Sequence, residues 1–171
     1  MTADTGLGTL ERQGDQWRLT FARRLAHPQE LVWQAVTEPE HLAAWFPQQV
    51  IGERKAGAHL RFEMPGGDGF DGEMLVFDPP HVCEFTWGTD RLRIELHPED
   101  GGTALTMTHT FGDLRKAARD GASWHVCLQR LMDELDGAVP QPWDRWREVH
   151  PAYVEAFGPD ASTVGPPPPA G

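Results

Sequence analysis

The hydrophobic positions of this chain alternate between a period of two and a helical period. From Trp17 to Leu25 they fall on every second residue: Trp17, Leu19, Phe21 and Leu25 share one side. That is the pattern of a half-buried strand, and the turn signal Gln13-Gly14-Asp15 before it allows a hairpin. From Pro28 the period lengthens, with Leu31, Val32, Ala35 and Val36 on one helical face. Pro28 suits the first turn, where its missing N–H is no loss. Thr37 followed by Glu40 reads as a capping box that starts a second short helix. Pro39 fits its first turn, Leu42, Trp45 and Phe46 supply its apolar stripe, and Pro47 ends it.

Period two then returns in six short segments: 50–53, 59–64, 70–77, 81–87, 91–97 and 103–111. Glycine, proline and aspartate clusters cut them apart, and connections this short favour antiparallel neighbours. The cleanest alternation sets Leu92, Ile94 and Leu96 against Arg91, Arg93 and Glu95, so one face is packed and the other wet. Residues 113–120 read as a polar turn or short helix. Residues 121–137 are the longest helix candidate, with Trp124, Leu128, Leu131 and Leu135 on one stripe and Cys127 at its border. A second aromatic stripe follows Pro140, and Pro151 is expected to kink or divide it. One simple α+β arrangement buries every stripe. A curved antiparallel sheet wraps the long helix, and the two short helices close one end.

Length and charge narrow the function. The 171 residues suit one domain with an extension. We place the domain at 1–138, a tryptophan-rich amphipathic extension at 139–158, and a proline-rich tail without fixed structure at 159–171. A net charge of -11 argues against nucleic acid and against anionic membranes as partners. No apolar run is long enough to span a bilayer. The opening residues lack the pattern of a secretory leader, so a cytoplasmic location is expected. Cys83 and Cys127 sit in separate apolar runs and read as buried thiols. No histidine, cysteine or carboxylate spacing suggests a metal, and no phosphate loop suggests a nucleotide, so no cofactor is expected.

Four stretches resemble the START-like (SRPBCC) superfamily, in the branch of activator of heat-shock-protein-90 ATPase homologues. They are PQELVWQAVTEPEHLAAWF, FDPPHVCEFTW, GGTALTMTHTF and GASWHVCLQRL, in that order. The resemblance implies a helix-grip fold with an internal cavity between sheet and last helix. Relatives bind lipids, hormones or polyketides, and some cyclise or dehydrate aromatic polyketides.

In that arrangement the lining would come from Trp45 and Phe46, then Phe62 and Met64, then Phe85 and Trp87. Met107 and His109 would follow from the last strand, and Trp124, Cys127, Leu128 and Leu131 from the long helix. A strand register slipped by one would reverse the assignments on the strands. The result is an apolar pocket with few polar groups, which is the makeup of a small-molecule site. His109 is the candidate hydrogen-bonding or acid–base group, whereas His125 is expected to point away from the core. Binding of a hydrophobic small molecule is the leading expectation. The alternatives are a protein-interaction module, or a cyclase/dehydratase-type enzyme using His109. A homodimer or protein partner would engage the extension through Trp143, Trp146, Tyr153 and Phe157.

Overall fold

In the computed structural model, which describes residues 6–164, the six-segment series and the hairpin before it form one antiparallel sheet. Its strands are β1 (Thr9–Gln13), β2 (Gln16–Leu25), β3 (Gln49–Ile51), β4 (His59–Glu63), β5 (Gly69–Asp78), β6 (Val82–Trp87), β7 (Asp90–Glu99) and β8 (Gly102–Phe111). They lie in the order β1-β2-β8-β7-β6-β5-β4-β3. The short helices α1 (Gln29–Thr37) and α2 (Pro39–Trp45) connect β2 to the far edge, and the long α3 (Ala117–Asp136) follows β8. Leu92, Ile94, Leu96, Leu105 and Met107 are buried on the sheet's inner face, as are Trp124, Cys127, Leu128 and Leu131 of α3. Outside, Arg93 bridges Glu84 at 3.0 Å and Glu95 at 2.6 Å.

Curvature has a local cause in β5. Its register against β6 shifts between Met74 and Val76, and such a bulge bends a strand and raises its twist. Three residues earlier, a Cβ on Gly72 would stand 2.2 Å from the Thr86 carbonyl oxygen and 2.7 Å from the Phe62 ring. Only glycine lets the chains approach this closely.

Several expectations are corrected. Thr37 is the last residue of α1 and not a cap: its hydroxyl donates to the Trp33 carbonyl at 2.7 Å. Glu38 takes the cap position with φ -81 and ψ 136, because the residue before Pro39 is driven to extended backbone. Leu31 is exposed while Trp33 is buried and packs on Phe77, since an indole buries more apolar area than a leucine. The long helix begins at Ala117, one turn earlier than the apolar stripe indicates. A short 3-10 turn, Leu114–Lys116, leads into it, with the Asp113 side chain accepting from the Arg115 amide at 3.1 Å.

The extension folds back on its own domain. Helix α4 (Trp146–Phe157) runs undivided through Pro151, whose ring is exposed. The carbonyl that loses its helix partner belongs to exposed Arg147. Tyr153 is fully buried. A Cβ on Gly121 of α3 would meet its ring at 2.8 Å, so glycine there admits the tyrosine. Trp143 and Phe157 pack against the same core, and the Arg130 guanidinium lies 4.2 Å from the Trp143 ring. Tyr153 is therefore spent within the chain, while Trp143 and Phe157 pack against its core and keep part of their surface exposed. The tail is also shorter than expected. Pro159–Ala161 forms a 3-10 turn with Ala161 buried, and the Val164 amide donates to the Arg115 carbonyl at 3.1 Å. The rest of the expected tail lies outside the described residues.

Candidate functional site

Two clusters inside the grip carry chemistry. The first gathers around His109, which β8 points inward and which is completely buried. The Trp124 indole N–H donates to His109 Nδ1 at 3.1 Å. An indole can only donate, so Nδ1 accepts and the ring proton sits on Nε2. That nitrogen donates to Asp90 Oδ2 at 2.9 Å. Lys116 Nζ reaches the same oxygen at 2.5 Å and stands 3.7 Å from Asp120. Arg119 completes the chain on Asp120 at 3.0 Å. Burial alone would raise the Asp90 carboxyl, but the hydrogen bonds and charges of His109 and Lys116 together outweigh it and hold it below the ordinary carboxylate range. The rings of Phe111, Trp87 and Trp124 enclose the imidazole at 5.0, 5.6 and 6.0 Å.

This arrangement limits what His109 can do. Both ring nitrogens are engaged, so neither is free to take a proton from a substrate. Asp90, His109 and Asp120 do bring their ligand atoms within 4.8 Å of one another, which is metal-like spacing that the sequence did not suggest. The Lys116 ammonium bonds Asp90 and neighbours Asp120, and so supplies the cation between these groups.

The second cluster is a small, partly open cavity of about 20 Å³ at the helix-pair end. Val36, Leu42, Trp45 and Phe46 wall it from the helices, and Leu60, Met74, Cys83, Phe85 and Ile94 from the strands. Its volume is roughly that of one water site, against several hundred cubic ångströms for a drug-sized ligand. The polar liners are few. The Thr37 hydroxyl is spent on Trp33, and the Trp45 indole donates to the Ala35 carbonyl at 2.9 Å. Burial pushes the Cys83 thiol up to about 12, and its Sγ rests 3.7 Å from Met74 Sδ. It is inert rather than nucleophilic. Arg54, in the loop between β3 and β4, also lines the cavity. Its side chain donates to the carbonyls of Thr37 (Nε, 2.8 Å), Gly52 (Nη1, 2.7 Å) and Val50 (Nη2, 3.2 Å).

Of the expected liners, Trp45, Phe46 and Phe85 border this cavity. Phe62 stacks behind Phe85 at 5.6 Å. Trp87, His109 and Trp124 form the polar cluster instead. Met107, Cys127, Leu128 and Leu131 are buried in the sheet–α3 contact, outside the cavity lining. Met64 lies beyond the end of β4, because Pro65 cannot continue the ladder. Its amide closes the turn onto the Asp68 carbonyl at 2.6 Å. Sequence reasoning missed Asp90, although Leu92, Ile94 and Leu96 extended back by one step place it on the packed face. Arg54, Lys116 and Asp120 gave no signal, since each lies in a polar stretch.

An antiparallel sheet gripping a long C-terminal helix, with a helix pair over one end of the interior, defines a helix-grip protein. Solved structures share this fold. The conserved protein of unknown function EF2215 from Enterococcus faecalis superposes with a TM-score of 0.72 at 16% identity, over 88% of this chain and 92% of that one. CalU16 from Micromonospora echinospora gives 0.72 at 21% identity, over 88% and 96%. DynU16, a protein of the dynemicin biosynthetic locus, gives 0.64 at 25% identity over 72% of this chain and 48% of that one. No curated protein sequence matches the chain. Residues 26–139 match the model of the family "Activator of Hsp90 ATPase homolog 1-like protein", and the chain belongs to that family. Among the described residues no helix is long and apolar enough to cross a membrane.

Proposed function

We propose that this protein binds a hydrophobic small molecule at the helix-pair end of the grip and does not transform it. The observation that carries the reading is the apolar cavity bordered by Trp45, Phe46 and Phe85, with Arg54 among its liners. The weakest wall is the short edge strand β3 with its following loop. A three-residue edge strand is held by few ladder bonds and opens at low cost. The ligand enters past this edge, and the flexible Met74 side chain makes room for it. Phe62 is the next surface exposed to the guest. The relative from the dynemicin biosynthetic locus is in keeping with a small-molecule role. A cyclase-type reaction is disfavoured because His109 has no free nitrogen.

A thermal-shift screen of aliphatic and aromatic compounds tests this reading. At one hundred times Kd, a ligand adds about 2.7 kcal/mol, which for a chain of this size is a rise of roughly 5–10 °C in Tm. A flat response across the panel at millimolar concentration would sink the proposal.

A further inference from the structure

We infer that the ligand carries a carboxylate and that Arg54 is its anchor. This rests on the binding reading above and adds the chemical class of the guest.

The chain holds 26 acidic residues against 15 lysines and arginines, and several of its arginines sit on a carboxylate. Arg18 pairs with Glu11, Arg24 with Glu99, and Arg93 with Glu84 and Glu95. Arg54 does not. Glu53 beside it in sequence pairs with Lys55 at 3.0 Å instead, and no ion pair to Arg54 exists among the described residues. Its guanidinium is half-buried and held by three backbone carbonyls. One of these, Thr37, ends α1, where the negative end of the helix dipole favours a cation. Burial holds the Arg54 pKa below that of a free arginine. Arg54 is thus a lining residue of the apolar cavity whose guanidinium is a partly desolvated cation held beside it.

A guanidinium has five N–H donors, and Arg54 uses one at each of its three nitrogens. One donor remains on Nη1 and one on Nη2, and a carboxylate can accept from both terminal nitrogens of a guanidinium. An apolar body in the cavity with its acid end at Arg54 would satisfy both, while the bond to Thr37 keeps the side chain aimed. A cation in the ligand would meet an unscreened like charge there. The expected guest is a fatty or aromatic carboxylic acid.

Matched probes separate the anchor from the cavity. Decanoate, 1-decanol and decylamine share one body, as do 2-naphthoate and 2-naphthylmethanol. Calorimetric titration of the wild-type protein at low salt should give acid over alcohol by about tenfold, with the amine weakest. In Arg54→Met the acid should fall to the level of the alcohol while alcohol binding persists. Equal binding of acid and alcohol to the wild type, or an acid preference that survives Arg54→Met, overturns the anchor and leaves the cavity reading intact. If no probe binds, both fall. If Arg54→Met does not fold, Arg54→Lys keeps the charge and loses the planar fork: a reduced acid preference supports the anchor, and an unchanged one overturns it.

Discussion

At one end of the interior, His109, Asp90, Lys116 and Asp120 are buried or nearly so, and each holds a partner at bonding or ion-pair distance. At the other, the walls are apolar, about 20 Å³ is left unfilled, and the cation on the lining leans on backbone carbonyls alone. The first end resists rearrangement because hydrogen bonds and ion pairs in a dry interior are directional, and a half-made network costs more than none. The second tolerates it because apolar contacts repack at small cost. One end ties β7 and β8 to α3. The other is free to adapt to a guest.

Breaking the polar end should give the largest effect. Asp90→Ala strips the acceptor from His109 and Lys116 at once and leaves the ammonium with only the more distant Asp120, at 3.7 Å, as counter-charge. Removing one partner of such a buried pair costs about 3–5 kcal/mol. Urea unfolding of the variant at pH 7 measures it. A loss below about 1 kcal/mol would mean that water reaches the cluster, and that the two ends differ less than their geometry indicates.

The same contrast explains what was legible in the sequence. The packed face of β7 and β8 followed from alternation alone, because a half-buried strand must present its apolar set every second residue. The helix pair and the long helix followed from their stripes, and four stretches of sequence carried the family. The polar cluster did not follow. Asp90 stands next to a glycine turn, and Lys116 and Asp120 lie in the polar run before the helix stripe. They meet only because β7, β8 and α3 converge in space. Thr37 misled for a local reason: its capping signature is genuine, yet Pro39 forces the break one residue later. The cavity was misplaced toward α3 because composition shows which residues are apolar, not where their packing falls short.

A smaller effect tests whether polar anchoring reaches α4. His125, one residue past Trp124, bonds through Nδ1 to the Tyr153 hydroxyl at 2.9 Å, and the same hydroxyl accepts from the Gly8 amide at 2.9 Å. Burial, aided by the charges of Arg23 and Arg145, lowers its pKa from 6.5 to about 4. The folded state therefore binds this proton more weakly than the unfolded one, and protonation favours unfolding. The stabilisation is complete above pH 6.5 and is lost as pH falls towards about 4. His125→Asn keeps an acceptor and cannot titrate. Its stability should vary less than the wild type's across that window, read as the denaturation midpoint at several pH values. Parallel curves would show that the proton at His125 is not coupled to folding.

The smallest expected effect is the sharpest on the comparison itself. Val36→Ile adds one methylene to a wall of the cavity and should stabilise the protein by up to about 0.8 kcal/mol, the transfer value of a buried CH₂, while weakening ligand binding. Ala122→Val adds carbon to a fully enclosed position on α3 and should cost about 1–3 kcal/mol through overpacking. The two variants change volume in the same direction, so the sign of each result reports local packing. Melting curves of both, without ligand, are enough. If Val36→Ile destabilises as much as Ala122→Val, the helix-pair end is packed as tightly as the polar end, and no small movement there can admit a guest.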